Sequence, residues 1–311
     1  MDYSVRFSNF WPGSERTIEN FFIPLISKIS ESSVRWIKSE LGLVDLEVHS
    51  VFNSAFKNSS HSFFDRIYGK LGKQIANDPV TFKRNSNKVM WYSGENFRPP
   101  LHLGYDAFLC YEDETYAANC FYLPLWVLNL NWFALPSSHG FISSYNSMSE
   151  LTAERKIRDG EVKGRKFCCF FANHLNDMRK GALSILSQVG NVDVFGYAGN
   201  RSVIDKKLIA SQYKFIFCPE NDLYPGYVSE KLLEGYQTTA LPIYWGIDRD
   251  AFFNPQSHLN IYNQGGFSAL VPSILEMLAD PTLYLEKLNS PLFMRKFDLE
   301  LLIEKLRNKL L

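Results

Sequence analysis

The first thing this sequence lacks is charge of one sign. Its 33 basic residues are matched by 33 acidic ones, for a formal net charge of +0. A chain with no overall field is not drawn as a whole to nucleic acid, and no nucleic-acid partner is expected. A local basic pocket stays open, because net charge averages over the surface. Long apolar runs are missing too. The stretch FFIPLIS is too short to span a bilayer and contains a proline. The opening residues, MDYSVRFSNFWPG, have no basic stretch followed by an apolar one, so they do not read as a secretory signal. The five cysteines, Cys110, Cys120, Cys168, Cys169 and Cys218, include no C-x-x-C pair, which argues against zinc. They are odd in number, two are adjacent, and several lie in apolar runs. They read as buried free thiols of a reducing compartment. There is no G-x-G-x-x-G fingerprint, no internal repeat and no low-complexity tract.

What is present is globular composition: 46% hydrophobic and 21% charged residues over 311 positions, enough for two ordinary domains. The 15% aromatic content is mostly core material. Strand-like runs alternate with helix-like ones, the pattern of an α/β chain with parallel sheets. Strands are expected over Val5–Phe10, Leu43–Val48, Lys88–Ser93 and Asp106–Tyr111. Ser14 is a plausible cap for a helix with Ile18, Phe21, Phe22, Leu25, Ile26 and Ile29 on one stripe. From Pro136 to Gly164 the chain turns polar, which suggests a boundary or a long crossing loop. The second half repeats strand and helix: strands at Phe167–Ala172, Val192–Tyr197, Tyr213–Cys218 and Leu241–Trp245, and a helix over Tyr227–Gln237. The tail from Phe297 is amphipathic, with Leu299, Leu302, Ile303, Leu306 and Leu310 on one side.

The most informative stretch is YKFIFCPENDLYPGYVSEKLLEGYQTTALPIYWG, Tyr213 to Gly246. A buried strand ends at Cys218, a Pro/Gly-containing loop follows, and a helix is expected to open near Gly226. Ligands of open α/β sheets bind at the carboxyl ends of strands, and a helix start suits an anion. Helical spacing would put Tyr227, Glu230 and Lys231 on one face. A lysine so early in a helix opposes its dipole, which points to an anionic partner. On pattern alone, a Glu/Lys surface pair on an ordinary helix explains the same residues.

The identities change that balance. Glu220-Asn221, then Tyr224 through Lys231 (YPGYVSEK), then Leu241 through Gly246 (LPIYWG), closely resemble the signature of the α1,3/4-fucosyltransferases, glycosyltransferase family 10. Pro219 stands where an aromatic is usual, Asp222 where serine is usual, and Ser229 replaces threonine while keeping its hydroxyl. Two further stretches resemble the same family. In KFCCFFANHLNDMRKGALSIL an Asn-containing loop with Asn173 leads to Arg179 in a first helical turn, with Asp177 as the expected cap. The guanidinium fork of such an arginine suits phosphate. In KVMWYSGEN, Gly94-Glu95-Asn96 follows a strand and is similar to the family's Gly-Glu-Asn.

The resemblance implies a GT-B fold, with two Rossmann-like domains facing across a cleft. An acceptor-binding domain is expected over residues 1–155, a GDP-fucose-binding domain over 156–295 and a packing helix over 296–311. It further implies inverting transfer of L-fucose from GDP-fucose to a glycan hydroxyl, O3 of GlcNAc in an N-acetyllactosamine-type acceptor of a protein glycan or lipopolysaccharide. Glu95 would be the catalytic base. Arg179 and Lys231 would stabilise the leaving diphosphate, and Glu230 would accept from ribose hydroxyls. Asn173, Glu220, Asn221 and Tyr227 would complete the donor site. No cofactor and no metal are expected. The acidic runs Glu112–Glu114 and Asp248–Asp250 read as surface or cap residues, and the histidines show no metal spacing. The expected location is that of a bacterial-type enzyme, cytoplasmic or peripheral to a membrane, with a Golgi enzyme lacking its anchor as the alternative. Three other functional readings stay open: a same-fold transferase with another nucleotide sugar, a non-catalytic glycan- or nucleotide-binding relative, and a membrane-associated scaffold that relies on the C-terminal amphipathic helix.

Overall fold

A computed structural model describes residues 2–51, 86–135 and 147–311. It divides into two units: residues 1–142 with 298–311, and residues 143–297. The first unit holds six strands: β1 (Tyr3–Ser8), β2 (Val34–Trp36), β3 (Val44–His49), β4 (Ser86–Tyr92), β5 (Ala107–Cys110) and β6 (Cys120–Tyr122). Their order across the sheet is β2-β1-β3-β4-β5-β6, and every pairing is parallel. One face is covered by the helical run from Glu15 to Ser30, whose Phe21, Phe22, Leu25 and Ile26 are buried. Ser14 stands at the cap position without a side-chain cap bond, and the run is not one α-helix. It widens into a π turn over Ile18–Phe22 just before Pro24. A proline supplies no N–H to the carbonyl four residues back, which favours such a turn.

The second unit holds β7 (Lys166–Phe171), β8 (Val192–Phe195), β9 (Tyr213–Pro219), β10 (Leu241–Trp245) and β11 (Leu259–Asn260), in the order β11-β10-β9-β7-β8, again all parallel. β7, β9 and β10 are near-continuous apolar runs because helices cover both faces of the sheet. Cys168, Phe170, Phe215, Phe217, Leu241 and Ile243 pack with Ala182 and Leu186 of the helix Asp177–Leu186 and with Leu270 and Ile274 of the helix Phe267–Ala279. All five cysteines are buried and free.

Counted within its own unit, each sheet has the order 2-1-3-4-5, with a sixth strand added in the first. Such an order reverses between the first and third strands, β1/β3 in one unit and β7/β9 in the other. That reversal opens a crevice at the carboxyl ends, where open α/β sheets bind ligands.

One local expectation, the start of the helix after β9, is corrected. Residues Ser147 to Arg155 group with the second unit. There Leu151 is fully buried, and Arg155 donates to Tyr236 O at 2.6 Å and Leu288 O at 2.8 Å while lying 3.7 Å from the Tyr236 ring centroid. A half-buried guanidinium is tolerated when its donors are so met. The polar stretch from Pro136 lies outside the described residues as far as Asn146. The C-terminal helix Leu299–Leu310 groups with the first unit, where it buries the five apolar residues of its stripe. Arg307 of that helix donates to Lys28 O at 2.7 Å. Finally, the helix expected from Tyr227 begins only at Lys231. Among the described residues, no helix is long and apolar enough to cross a membrane.

Candidate donor site at the carboxyl ends of β7 and β9

After β7 the chain passes through Ala172 and the exposed Asn173 and His174 into the helix Asp177–Leu186. The cap is Asn176, not Asp177: the Asn176 side chain accepts from Arg179 N at 2.9 Å. Asn176 has the extended backbone of a cap residue. Asp177 becomes the first helical residue, where a negative charge suits the dipole. This geometry aims Arg179 back over the strand end. Its Nη1 donates to His174 O at 2.9 Å, and its Nη2 donates to Asn221 Oδ1 at 2.9 Å. The guanidinium also lies 5.9 Å from the Phe170 ring centroid, at the edge of cation–π range. Its Nε is buried without a hydrogen-bond partner. Burial pulls the Arg179 pKa down, and Glu220 and Tyr227 partly offset that pull. Arg179 is thus a desolvated cation, incompletely paired, joining the two loops on either side of the β7/β9 reversal.

After β9 the chain forms a loop, not a helix, from Asn221 to Ser229. Gly226 adopts φ +83°, a left-handed value that side chains disfavour. Its N–H donates to Ile247 O at 3.2 Å, tying the loop to the end of β10. Ser229 N donates to Glu220 Oε1 at 2.9 Å, so the loop closes on the residue from which it leaves. Only then does the helix Lys231–Gln237 start, with Glu230 at its cap position. Tyr227, Glu230 and Lys231 therefore do not share a helical face.

The side chains divide into two groups. Asn173 and Asn221 are exposed. Glu230 and Lys231 are half-buried, with side-chain exposures of 36% and 23%. Lys231 Nζ lies 2.9 Å from Ser229 Oγ, 3.4 Å from Glu230 Oε1 and 3.5 Å from Glu220 Oε2. Burial pushes the Glu230 carboxyl up, but Lys231 and Lys206 outweigh it and hold that carboxyl below its ordinary value. Tyr227 and Glu220, both expected on the nucleotide, lie in the interior, with exposures of 1% and 0%. Glu220 accepts from Ser229 N, from Ser229 Oγ at 2.6 Å and from Tyr244 OH at 3.0 Å. Burial pushes its carboxyl up, against the pull of Lys231.

Tyr244 and Gly246, at the end of the signature stretch, belong to this network. Their place was hidden because the Glu220–Tyr244 contact spans two strands. Arg179, Asn221, Glu230, Lys231 and the buried Glu220 and Tyr227 thus gather around one strand end, with Asn173 on the neighbouring one. Glu95 belongs to the other unit. It sits in the bend after β4, where its carbonyl accepts from Ser93 Oγ at 2.5 Å, Phe97 N at 2.6 Å and Tyr111 OH at 2.9 Å. The two acidic runs have local partners. Asp248 Oδ2 accepts from Phe253 N at 2.8 Å, Asp250 pairs with Arg249 at 3.0 Å, and Asp113 accepts from Thr115 N at 2.9 Å. Glu114 meets Lys305. Among the described residues, no group of His, Cys, Asp and Glu is placed to hold a metal ion.

Comparison with known proteins selects the same region. Residues 161–289 match the family model for the C-terminal part of glycosyltransferase family 10 (fucosyltransferase). The chain is similar to the alpha-(1,3)-fucosyltransferase FucT of Helicobacter pylori, at 26% identity over 263 residues, covering 73% of this chain and 51% of that one. It is also similar to alpha-(1,3)-fucosyltransferase C of Drosophila melanogaster, at 25% identity over 127 residues, 38% of this chain and 30% of that one. The chain thus spans about half the length of the bacterial relative, and its match to the fly protein covers less. Among solved structures, an alpha1,3-fucosyltransferase with GDP-fucose superposes with a TM-score of 0.68 at 19% identity, covering 99% of this chain and 90% of that one. The shared fold is GT-B, with the two Rossmann-like sheets described above.

Proposed function

We propose that this chain transfers L-fucose from GDP-fucose to a hydroxyl of an acceptor glycan, a reading that starts from the match of residues 161–289 to the C-terminal part of glycosyltransferase family 10. The observation that carries the reading is the joint placement of Arg179 and Lys231. Two cationic side chains stand at adjoining strand ends of one sheet, inside the family match, where an α/β sheet binds its ligand. The buried, unmet Nε of Arg179 adds to the case, because an unpaired buried donor favours an anionic partner.

The reaction is a single displacement. The acceptor oxygen forms a bond to C1 of fucose as the bond from C1 to the β-phosphate oxygen breaks, which inverts the anomeric centre. The acceptor's proton passes to the Glu95 carboxylate, a general-base role. Negative charge builds on the departing GDP and is stabilised by Lys231 and Arg179, so no metal ion is needed for the leaving group. Glu230 accepts from the ribose hydroxyls, and Asn173 and Asn221 position the donor. The α1,3 linkage in the relatives' names supports transfer to O3, and the acceptor sugar proposed here is GlcNAc of an N-acetyllactosamine-type oligosaccharide.

The test is transfer itself. The chain is incubated with GDP-fucose and a lactosamine panel, and GDP release and product linkage are measured. Acceptor-dependent GDP release with a fucosylated product is expected, with GDP and not UDP competing. Turnover of a UDP-sugar in preference to GDP-fucose would assign a different donor. Tight GDP binding with no transfer to any acceptor would make the chain a binding protein.

A further inference from the structure

The first and last residues of the signature stretch, Glu220 and Gly246, meet in the fold. Glu220 N donates to Trp245 O at 2.9 Å, extending the β9–β10 ladder past Pro219 and Trp245. A Cβ on Gly246 would come within 2.2 Å of Tyr244 OH and 2.9 Å of Glu220 Cγ. Only glycine leaves room for the tyrosine hydroxyl to reach the carboxylate. The glycine that closes the motif is therefore required by the glutamate that opens it.

We propose that Glu220 and Ser229 are positioning residues that set the Lys231 ammonium, and that neither touches the nucleotide. The inference rests on the reading of Lys231 as a contact of the donor diphosphate. Glu220 is wholly buried and accepts three hydrogen bonds, two of them from Ser229. A buried carboxylate with this many donors is fixed in orientation. The Ser229 hydroxyl proton is committed to Glu220 Oε2 at 2.6 Å. Its oxygen can then only accept, and both donors that reach it belong to Lys231: Nζ at 2.9 Å and, more weakly, the backbone N at 3.5 Å. The chain of donation runs in one direction, from ammonium to hydroxyl to carboxylate. Ser229 is 1% exposed, so its hydroxyl is out of reach of a ligand and acts through Lys231. The long, flexible lysine stem would otherwise lose rotamer freedom on binding. Holding the ammonium in place beforehand removes that cost from the binding step.

The test is a double-mutant cycle on GDP affinity, measured by calorimetry on the full chain, with thermal melts to establish folding. K231A is expected to weaken GDP about ten- to a hundredfold. S229A is expected to weaken it about three- to tenfold in the parent chain and not at all in the K231A background. S229T keeps the hydroxyl and is expected to stay within about threefold of the parent. E220Q, run in the same cycle, keeps the inference testable should S229A fail to fold, and it is expected to be silent once Lys231 is gone. Parent-like affinity in S229A or E220Q would overturn the inference. So would a loss from either substitution that persists undiminished beside K231A, because the residue would then act on the ligand by itself. Both results leave the donor reading intact. Unchanged affinity in K231A would instead remove the donor reading, and the inference with it.

Discussion

The two sheets repeat one strand order, yet they fix their functional strand ends by different means. After β4, Glu95 is held through its main chain, whose carbonyl collects a serine hydroxyl, a backbone N–H and a tyrosine hydroxyl. After β9, Lys231 is held through side chains, by Ser229 on a carboxylate that a second strand also supports. The difference suits the proposed roles. A base that takes one proton needs its backbone in place and a local environment that tunes it. A cation that meets developing charge must already be aimed when the charge appears. The same topology thus carries two kinds of preorganisation, and a substitution in one should leave the other's measurable property alone.

The largest effect is expected where chemistry is separated from binding. Glu95→Gln keeps shape and hydrogen bonding but removes the basic carboxylate. General-base catalysis is worth roughly 10²–10⁴ in rate, so kcat should fall by about that factor while GDP affinity stays near the parent value. Steady-state transfer rates and GDP calorimetry on the same preparation read both quantities. A near-native kcat would remove Glu95 from the mechanism and leave the second unit's assignment standing.

On the donor side, Arg179→Ala should act in the opposite sense. It removes a cation that bridges His174 O and Asn221, and GDP affinity should fall about ten- to a hundredfold. Arg179→Lys should recover only part of this, because a point charge cannot span two acceptors as a planar fork does. Parent-like affinity in both variants would move the diphosphate away from the β7 end.

These expectations show what was legible in the sequence. Four of the second unit's five strands could be read from the sequence, because a sheet covered on both faces writes each strand as an apolar run bounded by polar turns; β11, of two residues, is too short to do so. The candidate site residues came from motif identity, and their three-dimensional surroundings could not be read from it. The helix was expected to begin at Tyr227 because YVSEKLLEGY has helical periodicity. It begins at Lys231 because Gly226 is left-handed and Ser229 is bound to Glu220, and neither fact is local. Likewise, a glutamate in a polar loop reads as a ligand contact. Its burial follows from Tyr244 on the next strand and Gly246 just past that strand's end, a pairing that periodicity does not encode. In the first unit the four longer strands were legible, but β2 and β6, of three residues each, are too short to show a period, and the Ser93 and Tyr111 bonds to Glu95's carbonyl are main-chain contacts that leave no residue pattern.

The two units also differ in how they bury a histidine. His49 lies 3.3 Å from Glu47 and 3.0 Å from Tyr105 OH. His258 packs edge-on to Tyr244, contacts Ser257 Oγ at 3.2 Å and feels Lys287. Burial, reinforced by Lys287, pulls the His258 pKa from 6.5 down to about 4. The sign is set by that direction. Above pH 6.5 the ring is neutral in both folded and unfolded chains and imposes no proton-linked cost. As pH falls toward 4 the unfolded chain takes up a proton that the folded chain refuses, so stability drops. Between pH 7 and pH 5 the loss should be about 2 kcal/mol. Urea denaturation of the parent and of His258→Gln at both pH values would read it. The variant should lose about 2 kcal/mol less than the parent over that interval. Equal losses would mean that the ring is protonated in place.

The smallest expected effect is that of chelation, and it tests whether side-chain cations suffice. If Arg179 and Lys231 supply the positive charge at the donor end, excess EDTA should leave most of the transfer activity intact. Asp248 already accepts from Phe253 N, and Asp250 already pairs with Arg249. A cation binding between them would have to displace both contacts. In the first unit, Asp113 is bonded to Thr115 and Glu114 to Lys305, so the same competition would apply there. Activity should be measured at matched ionic strength with and without EDTA, and then with Mn²⁺ or Mg²⁺ restored, since salt alone weakens exposed charge contacts. Near-complete loss that either ion reverses would show that Arg179 and Lys231 do not neutralise the leaving diphosphate alone. The contrast between the two strand ends would then have to include an ion bound at one of them.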